Sequence, residues 1–163
     1  MIYPIDKKFV SEVAFVVENF NDEDLTELKL EKLLYFAEAA HFEEYGKTIS
    51  CCGYYNNKNG PTPNYLCYKQ AIEHLIDNGF IKEKRLGKYK GFVSVKSFKV
   101  ALNDSEIKKL KATCSYWKGK KASSLWEKSH MDAPFLASDY RKQIDFTAVY
   151  QRFDKNELKP LKI

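Results

Sequence analysis

The stretch from Lys29 to Gly46 constrains this chain more than any other. Leu30, Leu33, Leu34, Ala37, Ala40 and His41 recur at steps of three and four and mark one face of a helix. Tyr35, Phe36, Ala39 and Phe42 carry the apolar surface well beyond the stripe of a surface helix. A helix over about 27–45 must therefore be contacted from more than one side, so the rest of the chain has to wrap it. Thr26 can cap its start, and Gly46 supplies the left-handed position that ends it. With 163 residues, 44% of them hydrophobic, the chain has enough material for one core without metal or disulfide.

The flanking segments supply partners for that helix. Phe9, Val10, Val13, Val16, Val17 and Phe20 make residues 6–20 an amphipathic helix with Asp6 as N-cap. Residues 47–62 lack a helical period, and their β-formers followed by Asn, Gly and Pro predict a short extended piece and a turn. Thr62 as N-cap and Pro63 at the first helical position predict a third helix to about Asn78, stopped by Gly79. Phe80 to Leu86 and Phe92 to Leu102 alternate around a basic loop, Gly87 to Gly91, and predict a β-hairpin. Asn103 and Glu106 resemble a capping box for a helix through Leu110, Cys114 and Trp117, with Gly119 as its end. Ser123 is placed to cap a short helix over Leu125, Trp126 and His130. Ala133-Pro134 breaks the chain, and Asp145 can cap a last helix using Phe146, Val149, Tyr150 and Phe153.

The expected fold is mainly α within the α+β class: about six helices and one β-hairpin, winged-helix-like in its middle part. A single domain is expected over 1–153, followed by a polar tail at 154–163.

Composition excludes several classes. No apolar run approaches the roughly 18 residues that span a bilayer, and Met1 to Lys8 has no basic region leading into an apolar one. A cytoplasmic protein without a membrane partner is expected. Cys51, Cys52, Cys67 and Cys114 form no CxxC pair, and His41, His74 and His130 lie far apart with no HExxH, so neither metal nor other cofactor is signalled. No phosphate-binding glycine loop or GxSxG elbow is present. Cys67 and His74 would lie roughly 10 Å apart along one helix, too far for a nucleophile–base hydrogen bond. Catalysis is not expected.

Charge is uneven. Residues 1–78 carry 7 Lys/Arg against 13 Asp/Glu, and residues 79–163 carry 20 against 9, so the halves are −6 and +11. The basic hairpin residues Lys82, Lys84, Arg85, Lys88 and Lys90 follow a helix, the layout of a winged-helix DNA binder. That helix offers Lys69, Gln70, Glu73, His74 and Asp77, whose carboxylates phosphates would repel. DNA is thus the alternative partner and a protein the preferred one.

The run Leu28-Lys29-Leu30-Glu31-Lys32-Leu33-Leu34-Tyr35-Phe36-Ala37, followed by His41 and Tyr45-Gly46-Lys47, resembles the opening signature of the SocA-like, or Panacea, antitoxin domain. Three further matches follow in order: Gly60-Pro61-Thr62-Pro63 before a helix, Leu125 to His130 with its Ser129-His130 pair, and Ile144-Asp145-Phe146. Together they span about 8–150. The resemblance implies an antitoxin, encoded beside a toxin and inhibiting it by direct contact, and in at least one kind also delivering it to a Clp-type protease. The toxins of such pairs are diverse, so neither the toxin nor the oligomeric state follows from this chain.

The motif residues Lys32, Leu33, Leu34, Tyr35, Phe36, Gly46, Gly60, Pro61, Ser129 and His130 are expected to build the scaffold rather than to touch a partner. Interface anchors are enriched in Tyr, Trp and Arg, which points to Tyr54, Tyr55, Arg85, Tyr89 and Trp117 for partner contact.

Overall fold

In the computed structural model, which describes residues 4–21 and 24–152, the apolar stretch forms helix α2, Glu27–Tyr45, at the centre of the molecule. Every residue from Leu33 to His41 is buried, so the helix has no solvent face over more than two turns. The helices packed on it are α1 (Lys7–Asn19), α4 (Asp104–Trp117), α5 (Ala122–Met131) and a closing 3₁₀ helix (Phe146–Gln151). Thr26 caps α2 by accepting from Lys29 N at 3.2 Å, and Gly46 ends it at φ +70°. Asp6 caps α1, and the Asn103–Glu106 capping box opens α4, both as the sequence indicates.

Two antiparallel hairpins complete the α+β fold: β1 (Tyr54–Asn57) with β2 (Gly60–Pro63), and β3 (Ile81–Leu86) with β4 (Tyr89–Ser94). The first adds a sheet to the single hairpin expected. Thr62 and Pro63 consequently pair with Tyr55 and Tyr54 instead of opening a helix. The cap of α3 (Tyr65–Asp77) passes to Asn64, whose side-chain oxygen accepts from Cys67 N at 3.1 Å. In the second hairpin the turn is only Gly87-Lys88, so Tyr89 lies in a strand rather than in a five-residue loop. Helix α5 starts before Ser123, after an extended Lys121 that makes no side-chain cap. Asp132 rather than Ala133-Pro134 separates α5 from the short α6 (Ala133–Leu136), which it caps through Ala133 N at 3.0 Å. The expected capping by Asp145 is present, but on a 3₁₀ helix. Phe153 and the tail from Asp154 lie outside the described residues.

The second hairpin is seated on the entry to α2. Thr26 bridges Gly91, and Phe92 N donates to Leu25 O at 3.1 Å. A Cβ at Gly91 would stand 2.4 Å from Leu25 O and 2.6 Å from Leu86 Cδ1. Gly91→Ala is therefore expected to cost about 1–3 kcal/mol through overpacking against backbone. The check is the urea midpoint, and an unchanged midpoint would mean that the hairpin is not held on α2.

Candidate functional site

The motif residues meet in space. Lys32 has no exposed surface, and its Nζ donates to Pro61 O at 2.7 Å, tying the middle of α2 to β2. Gly60, at φ +92°, lies under α5, where a Cβ would come 2.9 Å from His130 Cε1 and 3.0 Å from Ser129 Oγ. Ser129 Oγ donates to Trp126 O at 2.9 Å, and the His130 ring packs on Trp126 with centroids 3.7 Å apart. Glycine at 60 thus satisfies both a left-handed backbone and a close helix approach. At the other end of α2, His41 Nδ1 lies 2.7 Å from Lys47 O just beyond the Gly46 turn, and its ring packs on Tyr45.

Tyr35 leads to a second buried junction. Its hydroxyl donates to Asp132 Oδ2 at 2.7 Å, and Arg152 grips the same carboxylate through Nε at 2.7 Å and Nη2 at 2.8 Å. Arg152 Nη1 also reaches Glu43 Oε2 at 3.1 Å. Burial and the neighbouring Asp132 charge together push the Tyr35 hydroxyl well above its ordinary range. The Arg–Asp fork joins the chain after the 3₁₀ helix to the α5–α6 corner and to α2.

The residues expected to meet a partner divide. Tyr54 is 1% exposed and packs among Tyr35 and Phe146, while Trp117, 4% exposed, stacks on Phe36 at 5.2 Å. Both are core residues, because β1 and α4 turn their aromatic faces toward α2. Tyr55 is half-buried in β1. Arg85 and Tyr89 are exposed on the second hairpin. Part of that hairpin's positive charge is matched locally: Lys84 Nζ stands 3.7 Å from Asp24, and Lys90 Nζ 3.4 Å from Glu27 and 3.8 Å from Glu83.

Tyr89 borders a groove of about 600 Å³ between the hairpin, the first turns of α2 and the start of α5. Glu27, Glu31 and Glu127 line it along with Lys90 and the half-exposed indole of Trp126. Burial pushes Glu31 up to about 7, and burial likewise brings Lys32, 3.9 Å away, down to about 8. The buried Tyr68 hydroxyl is raised by desolvation, by the charges of Glu27 and Glu31 and by its interaction with the Glu27 carboxylate. Trp126 and the carboxylates were not singled out by sequence. The available signal was their i, i+4 spacing, Glu27 with Glu31 on α2 and Trp126 with His130 on α5.

No group of three or more His, Cys, Asp or Glu side chains able to hold a metal occurs among the described residues. All four cysteines are free, with Cys52 and Cys114 buried. No helix among the described residues is long and apolar enough to cross a membrane.

Comparison with protein-family models matches residues 30–134 to the antitoxin SocA-like, Panacea domain. Neither the curated proteins nor the solved structures gave a match. The match covers more than half of the 163 residues and takes in the α2 motif from Leu30 onward, Gly60-Pro61 and Ser129-His130, the residues that hold α2, β2 and α5 together, while Ile144-Asp145-Phe146 lies beyond it. The chain belongs to the SocA-like antitoxin family and carries its Panacea domain.

Proposed function

We propose that this protein is an antitoxin that neutralises a cognate toxin by direct protein–protein binding, without catalysing a reaction on it. The family membership carries this reading. Supporting it, the motif side chains Lys32, Tyr35 and Ser129 are spent on internal hydrogen bonds, so they serve the scaffold. Large apolar side chains remain on the surface: Tyr65 and Leu66 on α3, Tyr89 on β4, and Leu136 and Tyr140 beyond α5. Such groups are the usual anchors of a stable interface when a partner desolvates them.

The DNA-binding alternative receives less support. Lys84 and Lys90 face carboxylates, and Lys69 on α3 lies 3.8 Å from Glu73, so a phosphate would compete with fixed anions. The decisive experiment is co-expression with the product of the adjacent reading frame, scored as growth. Restored growth is expected. A neighbour that is harmless alone, or that stays toxic beside this protein, sinks the proposal. In the same cells, a toxin half-life that shortens only when the Clp-type protease is present would add a proteolytic adaptor role.

A further inference from the structure

The groove beside Tyr89 combines features that point to one kind of chemistry. Three of its lining side chains, Glu27, Glu31 and Glu127, are carboxylates, against the single ammonium of Lys90. Lys90 is already shared between Glu27 and Glu83, at 3.4 and 3.8 Å. Glu31 is largely buried, and its nearest cation, Lys32 Nζ, is 3.9 Å away and donates its hydrogen bond to Pro61 O instead. A desolvated carboxylate without a close donor is costly to keep ionised, and an incoming cation would reverse that cost. Two aromatic rings, Tyr89 at 58% exposure and Trp126 at 38%, border the opening.

Carboxylates and aromatic faces lining one groove suit a flat, delocalised cation that donates several hydrogen bonds while stacking on a ring. A guanidinium does both, whereas an ammonium provides a compact charge without the planar fork. Phosphate is disfavoured by the three acids. We propose that this groove receives an arginine side chain of a partner protein, held by Glu31 and Glu127 and stacked on Trp126 or Tyr89. The proposal rests on the antitoxin function above and adds to it the chemistry by which the toxin is gripped: a basic, arginine-bearing segment. It also explains how a chain with net charge +5 offers an attractive surface to a basic partner, since the groove is a local reversal of the overall sign.

The test titrates N-acetyl-arginine amide into the full-length protein, followed by indole fluorescence, with N-acetyl-lysine amide and N-acetyl-glutamine amide alongside. Saturable binding in the order arginine, lysine, glutamine is expected. Glu127→Gln and Trp126→Ala alter side chains on the exposed surface, and each is expected to weaken it roughly tenfold. Calorimetry replaces fluorescence for Trp126→Ala. Glu31→Gln should do the same, and its far-ultraviolet circular dichroism separates lost binding from lost fold. No saturable response to the arginine amide, or unchanged affinity in Glu127→Gln and Trp126→Ala, overturns the proposal. The same two variants then enter the co-expression assay. Full neutralisation by both would overturn the groove as the toxin's seat while leaving the antitoxin function standing. Failure of the wild type to neutralise, with arginine binding intact, would remove the antitoxin function and keep the groove's cation chemistry. Sedimentation of the wild type and Glu127→Gln provides the last arm: a dimer that this substitution dissociates would assign the groove to a second copy and overturn the proposal.

Discussion

Asp132→Ala is expected to lower the unfolding free energy by about 3–5 kcal/mol, because it leaves a buried guanidinium without its main counterion. Asp132 has no exposed surface and accepts from Tyr35 Oη, from Arg152 Nε and Nη2, and from Ala133 N. Truncation also orphans the buried Tyr35 hydroxyl and uncaps α6. Glu43, at 3.1 Å from Arg152 Nη1, offsets only part of the lost charge. Asp132→Asn should fall between wild type and alanine, since it keeps the shape and the Ala133 acceptor but not the ion pair. Urea denaturation of the three proteins measures this. A loss below about 1 kcal/mol for alanine would place Arg152 in effectively solvent-like surroundings. Against a total stability of typically 5–15 kcal/mol, the expected loss would also lower the folded population in cells, so the proposed antitoxin activity should fall without any change at the groove.

The second large effect concerns pH. Glu12 on α1 and Glu38 on α2 are both buried, at 0% and 1% exposure. Glu38 accepts from Ile49 N at 2.5 Å, from Ser50 N at 3.1 Å and from Ser50 Oγ, so it anchors the segment after α2 as a carboxylate. Among the described residues no donor stands within hydrogen-bonding distance of the Glu12 oxygens, and desolvation followed by the Glu38 charge pushes Glu12 well above the ordinary 4.5, with Ser50 opposing only in part. A protonated Glu12 donating to an ionised Glu38 satisfies both sets of constraints.

The folded protein therefore holds a proton at Glu12 that the unfolded chain releases above about 4.5. In that window the unfolded state binds fewer protons, so stability falls as pH rises from about 4.5 toward the raised pKa of Glu12. Glu38, which burial also raises despite its hydrogen bonds, and Glu31, raised to about 7, add declines of the same sign. Lys32, brought down from 10.5 to about 8, contributes the opposite slope between those values. Glu12→Gln isolates the first contribution, because the amide donates to Glu38 without titrating. Urea midpoints between pH 5 and pH 8.5 should fall for the wild type and more shallowly for Glu12→Gln. Parallel curves would show that Glu12 does not hold its proton in the fold. Glu38→Ala is expected to cost about 2–4 kcal/mol at pH 5, since it strands the Ile49 and Ser50 amides.

These junctions mark the limit of what periodicity conveys. The apolar pattern of α2, the caps at Asp6, Thr26 and Asn103, and the stop at Gly46 all follow from interactions within a few residues, and the structure reproduces them. The charged residues at the centre of the fold are different. Glu12 shares the helical face of Phe9 and Val16, and Glu38 that of Leu34, which are local signs of burial. Their partners are 11 to 26 residues away or more, and Asp132 meets Tyr35 across 97. The α3 cap shows the competition directly. Thr62-Pro63 is a legitimate helix start in isolation, yet pairing with Tyr54 and Tyr55 draws both residues into a strand and moves the start to Asn64.

Aromatic residues were the least legible. Tyr54 and Trp117 have the same composition-level claim on an interface as Tyr89 and Trp126, but the first two pack on α2 and the others border the groove. By itself the sequence determined the central helix, most of the helices around it, the second hairpin and, through its ordered motifs, the family. The tertiary structure decided which charges are buried, which aromatics remain outside, and that acids from α2 and α5 meet at one groove. The physical reason is range: helix periods and caps are set by neighbours within a turn, whereas burial and charge pairing depend on which distant element the backbone brings alongside.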